Sequence, residues 1–402
     1  MKTMVKYLLF SVLFCTTWSF SFSEFQSTVK GAKQEAPQCS DIAFVKAPHT
    51  EIYNRDAGIS SEDFSLWKAV ASAKNPKKGI NNMRELFLAV DPIFQVGTHA
   101  NKQELKDILM RLDNNSLGNI IQSLLSDPLM LQEIAKRSYS HVMGFSKIVL
   151  LEGPSERDYK VRLHIWWPKP NIYGKKLVEE DKHVHKWDFV SRMITGSFED
   201  QLYTLYPSTP EEEKVFHKFT EQLSNMESVE REKIISSVQV LEISFLPQSI
   251  SNTYLCEEAP GTYYSKEILQ KKLSLNDQEF DLLFRVHKKY VTLPNKTGKY
   301  GLAAIGLESV SPATIVDVEA GDMYYHRNPI AHRLLSRADQ ITSTLIITDL
   351  PIAEKQPYIL MRSDTGEDET KNAPVMKVAE LKRQLEDYLK VLRSLAAPNR
   401  PK

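Results

Sequence analysis

Between about residue 60 and residue 141 apolar positions recur every three or four residues, the period of helices that bury one face. Ser60 and Ser61 precede Phe64, Trp67 and Val70, which predicts a capped helix. Met83, Leu86, Phe87 and Val90 keep the same spacing until Asp91-Pro92 stops it. It continues at Leu105, Ile108, Leu109 and Leu112, then at Ile120, Ile121, Leu124 and Leu125, and resumes after Asp127-Pro128 at Leu131 and Ile134. The expectation is an all-helical N-terminal unit over 24–145 that serves packing or partner binding, since it holds no nucleophile or ligand cluster.

From Lys147 the period shortens. Lys147 to Leu151 and Tyr159 to Trp167 are rich in β-branched and aromatic residues, with Gly153-Pro154-Ser155 between them, and predict a hairpin. A strand through Tyr203 ends at Pro207, where Thr209, Pro210 and Glu212 supply the cap, first-turn proline and capping-box glutamate of a helix through Phe216 and Leu223. Strand-like runs follow at Val238 to Phe245, Val286 to Leu293, Leu302 to Val318 and Thr342 to Asp349. The pattern gives an α+β class, with a β-rich domain over 146–356 and a helical insertion near 209–235.

The last part, 357–402, holds a polar, acidic loop at Ser363 to Thr370 and a final amphipathic helix. Val378, Leu381, Leu385, Tyr388, Leu389, Leu392 and Leu395 share one face of that helix, suited to packing on the sheet domain or on a second copy in a homodimer. Glu380, Glu386 and Asp387 break up its basic face, which argues against membrane binding. At the other end Lys2 and Lys6 precede an apolar run from Tyr7 to Cys15 and a small-residue pattern at Ser21-Phe22-Ser23. That predicts a secretory signal over 1–23 and an exported protein, membrane-anchored only if uncleaved. Cys39 and Cys256 would then meet an oxidising compartment, as a bridge or as two buried thiols.

Charge narrows the function classes. Lys and Arg number 51 and Asp and Glu number 51, so the chain lacks the electrostatic footprint of a nucleic-acid binder. A P-loop, a dinucleotide glycine fingerprint, Gly-x-Ser-x-Gly and Cys-x-x-Cys are missing from the sequence.

Two short runs carry the candidate chemistry. In the first, Glu179 to Phe189, His183 and His185 lie two apart, which on a strand sets both imidazoles on one face, within reach of one metal ion. The second, Gly321 to His332, is a turn-rich strand connection that ends in another histidine and also holds His326.

Together these runs resemble the cupin superfamily, whose first motif is His-x-His followed by a glutamate and a glycine, and whose second is a glycine-led turn ending in histidine. His183, His185 and Gly196 match the first, and Gly321 and His332 match the second. The resemblance spans about Leu163 to Asp349 and implies an antiparallel β-barrel, the double-stranded β-helix. The chain departs from it at the long stretch Ser197 to Ala320 and at Pro329, where the family's motif has glycine. Phe189 stands where the motif has its glutamate, and Asp188 is one residue early, facing outward unless a bulge reverses the parity.

The implied metal site is therefore His183, His185 and His332, similar to the three-histidine site of thiol-dioxygenase-type cupins, with His326 and Asp188 as further candidates. Three neutral ligands leave an ion its full charge and open positions, so the resemblance implies Fe(II) and dioxygenase-type oxidation of a small molecule. Zinc or manganese would suit an isomerase or a lyase, copper is a further candidate metal, and the alternative is a non-catalytic metal- or ligand-binding module with a helical partner-binding unit. Trp187, Phe189, Ser191 and Tyr324 are the pocket candidates, Met193 sharing the inward parity, with Arg192, Tyr325 and Arg327 as further substrate contacts and His164 as a partner for a ligand imidazole.

Overall fold

The computed structural model describes residues 59–60, 62–68, 79–94, 99–141, 144–168, 181–244, 263–294, 299–311, 313–336, 340–352, 355–362, 371–372 and 374–396. The expected signal over 1–23, both Cys39 and Cys256, and the acidic loop lie outside these residues. Every described element belongs to one compact unit, Pro48–Lys402.

Two antiparallel sheets organise that unit. The first runs, in hydrogen-bonded order, β1 (Phe64–Trp67), β12 (Met323–His326), β6 (Phe189–Thr195), β14 (Thr342–Thr348), β4 (Lys160–Trp166), β3 (Ser146–Glu152) and β2 (Tyr139–Ser140). The second runs β11 (Thr314–Glu319), β7 (Ser197–Tyr203), β13 (Ala331–Ser336), β5 (Lys182–Val184), β15 (Tyr358–Met361), β9 (Val286–Pro294), β10 (Lys299–Val310) and β16 (Lys371–Asn372), with β8 (Leu205–Pro207) beside β10. From β4 to β7 and again from β11 to β15 the chain alternates between the sheets, so neighbours in sequence face each other across the interior.

Strand alternation explains why the first sheet is buried on both faces. Phe189 and Met193 of β6 point into an aromatic interior shared with Phe198 and Leu202 of β7, Leu334 of β13 and Tyr324 of β12. Val190 and Ile194, one residue out of phase, pack instead on the helices. Those helices are α1 (Met83–Val90), α2 (Lys102–Arg111), α3 (Asn114–Leu125), α4 (Pro128–Arg137) and α9 (Val378–Ala396). Asn82, Asn101, Asp113 and Asp127 cap the first four, each accepting from a first-turn amide. Most of the apolar face of α9 is covered within the chain, with Leu381, Leu385, Tyr388, Leu389 and Leu392 in the same core as α3, while Val378 and Leu395 at its ends are exposed. No described helix is long and apolar enough to cross a membrane.

The hairpin β3–β4 and the Thr209 capping box form as the sequence predicts. Two expectations are corrected. Phe64 to Trp67 is an edge strand, because Phe64 and Leu66 pack in the interior while Trp67 packs on the helical side, a two-residue alternation. Val238 onward is helical within α6 (Ser228–Ser244), because Ile234 and Val238, four apart, are buried together against α5 (Pro210–Ser224), α7 (Lys266–Lys272) and α8 (Asp277–Leu283).

This helical insertion meets the second sheet through charge. Glu242 of α6 pairs with Lys182 of β5, with Arg362 at 2.9 Å and with Arg333 at 3.6 Å, and Lys182 also contacts His287 Nε2 at 3.0 Å. One carboxylate thus faces three cations whose side chains are almost wholly buried.

Candidate metal centre

The ladder of the second sheet builds the site. His332 lies in β13 directly opposite His183 of β5 on one side and Leu202 of β7 on the other. Directly opposite residues hold their side chains on one face about 5 Å apart, so the two imidazoles meet without any special loop. His185 follows β5 on the connection to β6, and its ring lies 4.8 Å from that of His183 and 5.1 Å from that of His332. His183 and His332 are 4.5 Å apart by the same measure. The two runs singled out in the sequence therefore converge, and each of the three residues offers a ligand atom within 4.8 Å of the others.

Hydrogen bonds fix the ring tautomers. His183 Nδ1 lies 2.9 Å from the carbonyl oxygen of Asp181, which can only accept, so Nδ1 carries the proton and Nε2 its lone pair. His332 Nδ1 lies 3.0 Å from Asp200 Oδ1 and is fixed the same way by the carboxylate. His185 Nε2 and His332 Nε2 face each other at 3.1 Å. Two nitrogens on an ion with bonds of about 2.05 Å would be about 2.9 Å apart at a right angle and about 3.3 Å apart in a tetrahedron, so this spacing fits a shared ion.

Electrostatics favour neutral ligands. Burial pushes His183 and His332 down to about 3, and pushes His185 well below the usual imidazole value, with the neighbouring imidazoles adding to the effect for His183 and His185. Lone pairs are therefore free at neutral pH, the state in which imidazole binds metal. Burial pushes Asp200 the other way, up to about 7.

His326 enters from the opposite sheet. Its ring stacks on Phe189 at 5.0 Å with an 11° tilt and lies 4.4 Å from the ring of His332. Its Nε2 lies 3.1 Å from the carbonyl oxygen of Ile330, and burial holds it near 3. His326 also belongs to a second metal-capable group, with Asp200 and His332. Asp200 is the residue the sequence reading missed. Its signal is the run Phe198-x-Asp200-x-Leu202, a carboxylate on the inward phase of a strand between two core residues.

The remaining candidates separate. Trp187 stacks on His185 at 5.4 Å, with the Arg162 guanidinium 4.7 Å over its ring. Phe189 meets His185 edge-on at 5.2 Å, and Tyr324 is buried against Phe64 and Phe189. Ser191 is buried, its hydroxyl without a hydrogen-bond partner among the described residues. Asp188 stands apart from both groups: it accepts from Tyr325 Oη and from the Asn328 amide, each at 2.8 Å. Arg192 is on the helical side, donating to the Leu109 carbonyl at 2.9 Å, and Arg327 pairs with Asp63 at 3.4 Å. His164 is buried beside Phe145 and Trp166 in β4.

Comparison with known proteins adds little. No protein-family model matches the chain, and no curated protein matches it. A solved Streptomyces albus structure, described as HEPD with its substrate 2-hydroxyethylphosphonate and Fe(II) bound, is a structural neighbour at 8% identity and a TM-score of 0.12. The match covers 52% of this chain and 71% of that one.

Proposed function

We propose that this protein is a cupin-type metal enzyme that holds a divalent ion, Fe(II) by preference, on His183, His185 and His332 and oxidises a small molecule with dioxygen. The observation that carries this reading is the facing pair His185 Nε2 and His332 Nε2, 3.1 Å apart although 147 residues separate them in sequence. Bound iron would supply open coordination positions and redox chemistry toward dioxygen.

The chain's own residues would do the rest. His183 and His332 keep their lone pairs on the ion because Asp181 and Asp200 hold the opposite ring nitrogens. Phe189 and Met193 exclude water from the interior face, and Trp187 covers His185. Ser191 Oγ, buried without a partner among the described residues, offers a hydrogen bond to a polar substituent of the substrate. The antiparallel sheets, between which the chain alternates, are consistent with the double-stranded β-helix of that superfamily.

The test is anaerobic loading of the purified metal-free protein with Fe(II), followed by oxygen uptake across a panel of small polar and aromatic molecules. Uptake that rises with one class of compound supports the reading. An iron-loaded protein that consumes no oxygen with any of them overturns the oxidation, and full iron retention in His183→Ala and His185→Ala overturns the site.

A further inference from the structure

Two ligand-capable atoms beside the three-histidine group have no use in that reading. Asp200 Oδ2 and His326 Nδ1 are both buried, and neither has a hydrogen-bond partner among the described residues. The His326 Nε2 proton is directed to the Ile330 carbonyl, so the unpartnered Nδ1 is a lone-pair nitrogen. Two buried polar atoms thus lie without a hydrogen-bond partner among the described residues, an arrangement that costs free energy and that a shared cation would relieve.

The shared neighbour is His332. Asp200, His326 and His332 each offer one ligand atom, all within 4.8 Å of one another, and all three residues are buried. His332 turns Nε2 toward His185 and Nδ1 toward Asp200, so its two nitrogens face two different groups. Phe189, stacked on His326, closes that side against water.

We propose that Asp200, His326 and His332 form a second cation-binding position, adjacent to the three-histidine group and joined to it by the His332 ring. Its ligands are two imidazoles and a carboxylate. It carries a negative charge and a hard oxygen that the first group lacks, which suits Mn(II), Fe(II) or Co(II). Filling it replaces the proton between His332 Nδ1 and Asp200 with the ion and releases that proton to solvent. The second position does not require the first to be filled.

The experiment is equilibrium dialysis of the metal-free full chain against Co(II), with the visible absorption of the bound ion recorded and far-UV circular dichroism confirming each variant's fold. The wild type should bind two ions per chain. His326→Ala and Asp200→Asn should each bind one, and His183→Ala should also bind one, with a different spectrum. A wild type that saturates at one ion, lost in folded His183→Ala and retained in folded His326→Ala and Asp200→Asn, overturns the proposal and leaves the three-histidine reading standing. A single ion lost only in His326→Ala and Asp200→Asn supports the second position and removes the three-histidine reading. Two ions retained in folded His326→Ala likewise overturn the proposal.

Discussion

His332 donates its Nδ1 proton to Asp200 Oδ1 over 3.0 Å, and the pair is almost completely sealed from solvent. A carboxylate behind a metal-binding imidazole orients the ring and makes its far nitrogen a better donor of electron density. Asp200→Asn keeps the shape and loses the charge. Binding of one divalent ion to the three-histidine group should weaken about 10- to 100-fold, the usual cost of losing such a partner. Isothermal titration with Zn(II) or Co(II) measures it, and an unchanged affinity would mean that Asp200 does not act on that group through His332.

Acid should destabilise the metal-free protein. His183, His326 and His332 are held near 3 by burial, against about 6.5 in an unfolded chain. Below about 6.5 the unfolded state takes up protons that the folded state refuses, so stability is present above that pH and is lost as pH falls toward 3. Asp200 acts with the opposite sign, since its raised value favours the folded state at low pH and loses that advantage as pH rises through about 7. Three imidazoles outweigh one carboxylate. Urea midpoints should fall steadily from pH 7 to pH 4, and a flat profile would contradict the buried, neutral histidines.

Gly196 joins β6 to β7 and so sets how the aromatic strand meets the strand bearing Asp200. Its φ is +73°, and an added Cβ would lie 2.8 Å from the Ile341 carbonyl oxygen and 2.9 Å from Thr342 Cα. The left-handed backbone alone costs a side-chain-bearing residue about 1–2 kcal/mol, and the contacts with backbone atoms add to it. Gly196→Ala should therefore lose more than about 2 kcal/mol in chemical denaturation. A loss of a few tenths would mean that the turn relaxes freely.

Glu242 pairs with all three of Lys182, Arg333 and Arg362. Removing one member of a buried ion cluster leaves uncompensated charge, typically about 3–5 kcal/mol. Glu242→Gln should lose stability of that order. Restoration by the second substitution Lys182→Met would show that stranded charge, and not lost packing, is the cause.

Much of this was written in local pattern. The capping box at Thr209 and Glu212 could be placed from neighbours a few residues away, whereas His332 was joined to His183 and His185 by the resemblance to the cupin motifs. Phe64 to Trp67 could not be placed, since its partner His326 lies more than 250 residues away and an edge strand of four residues has too few positions to display a period. The β-branched residues around Val238 suggested a strand, and burial of Ile234 with Val238 against the neighbouring helices overrode that preference. Asp200 escaped notice for a related reason. Its inward phase was legible between Phe198 and Leu202, but what it faces depends on the pairing of β7 with β13.

Lys182 and His183 are consecutive residues of the three-residue strand β5, one reaching the ion cluster under the helical insertion and the other the imidazole group. A single peptide unit therefore separates the anchor of those helices from the innermost chemistry of the protein. Excising the insertion would not trim an outlying appendage: it would bare three basic groups on the sheet's back and unsettle the strand that aims His183.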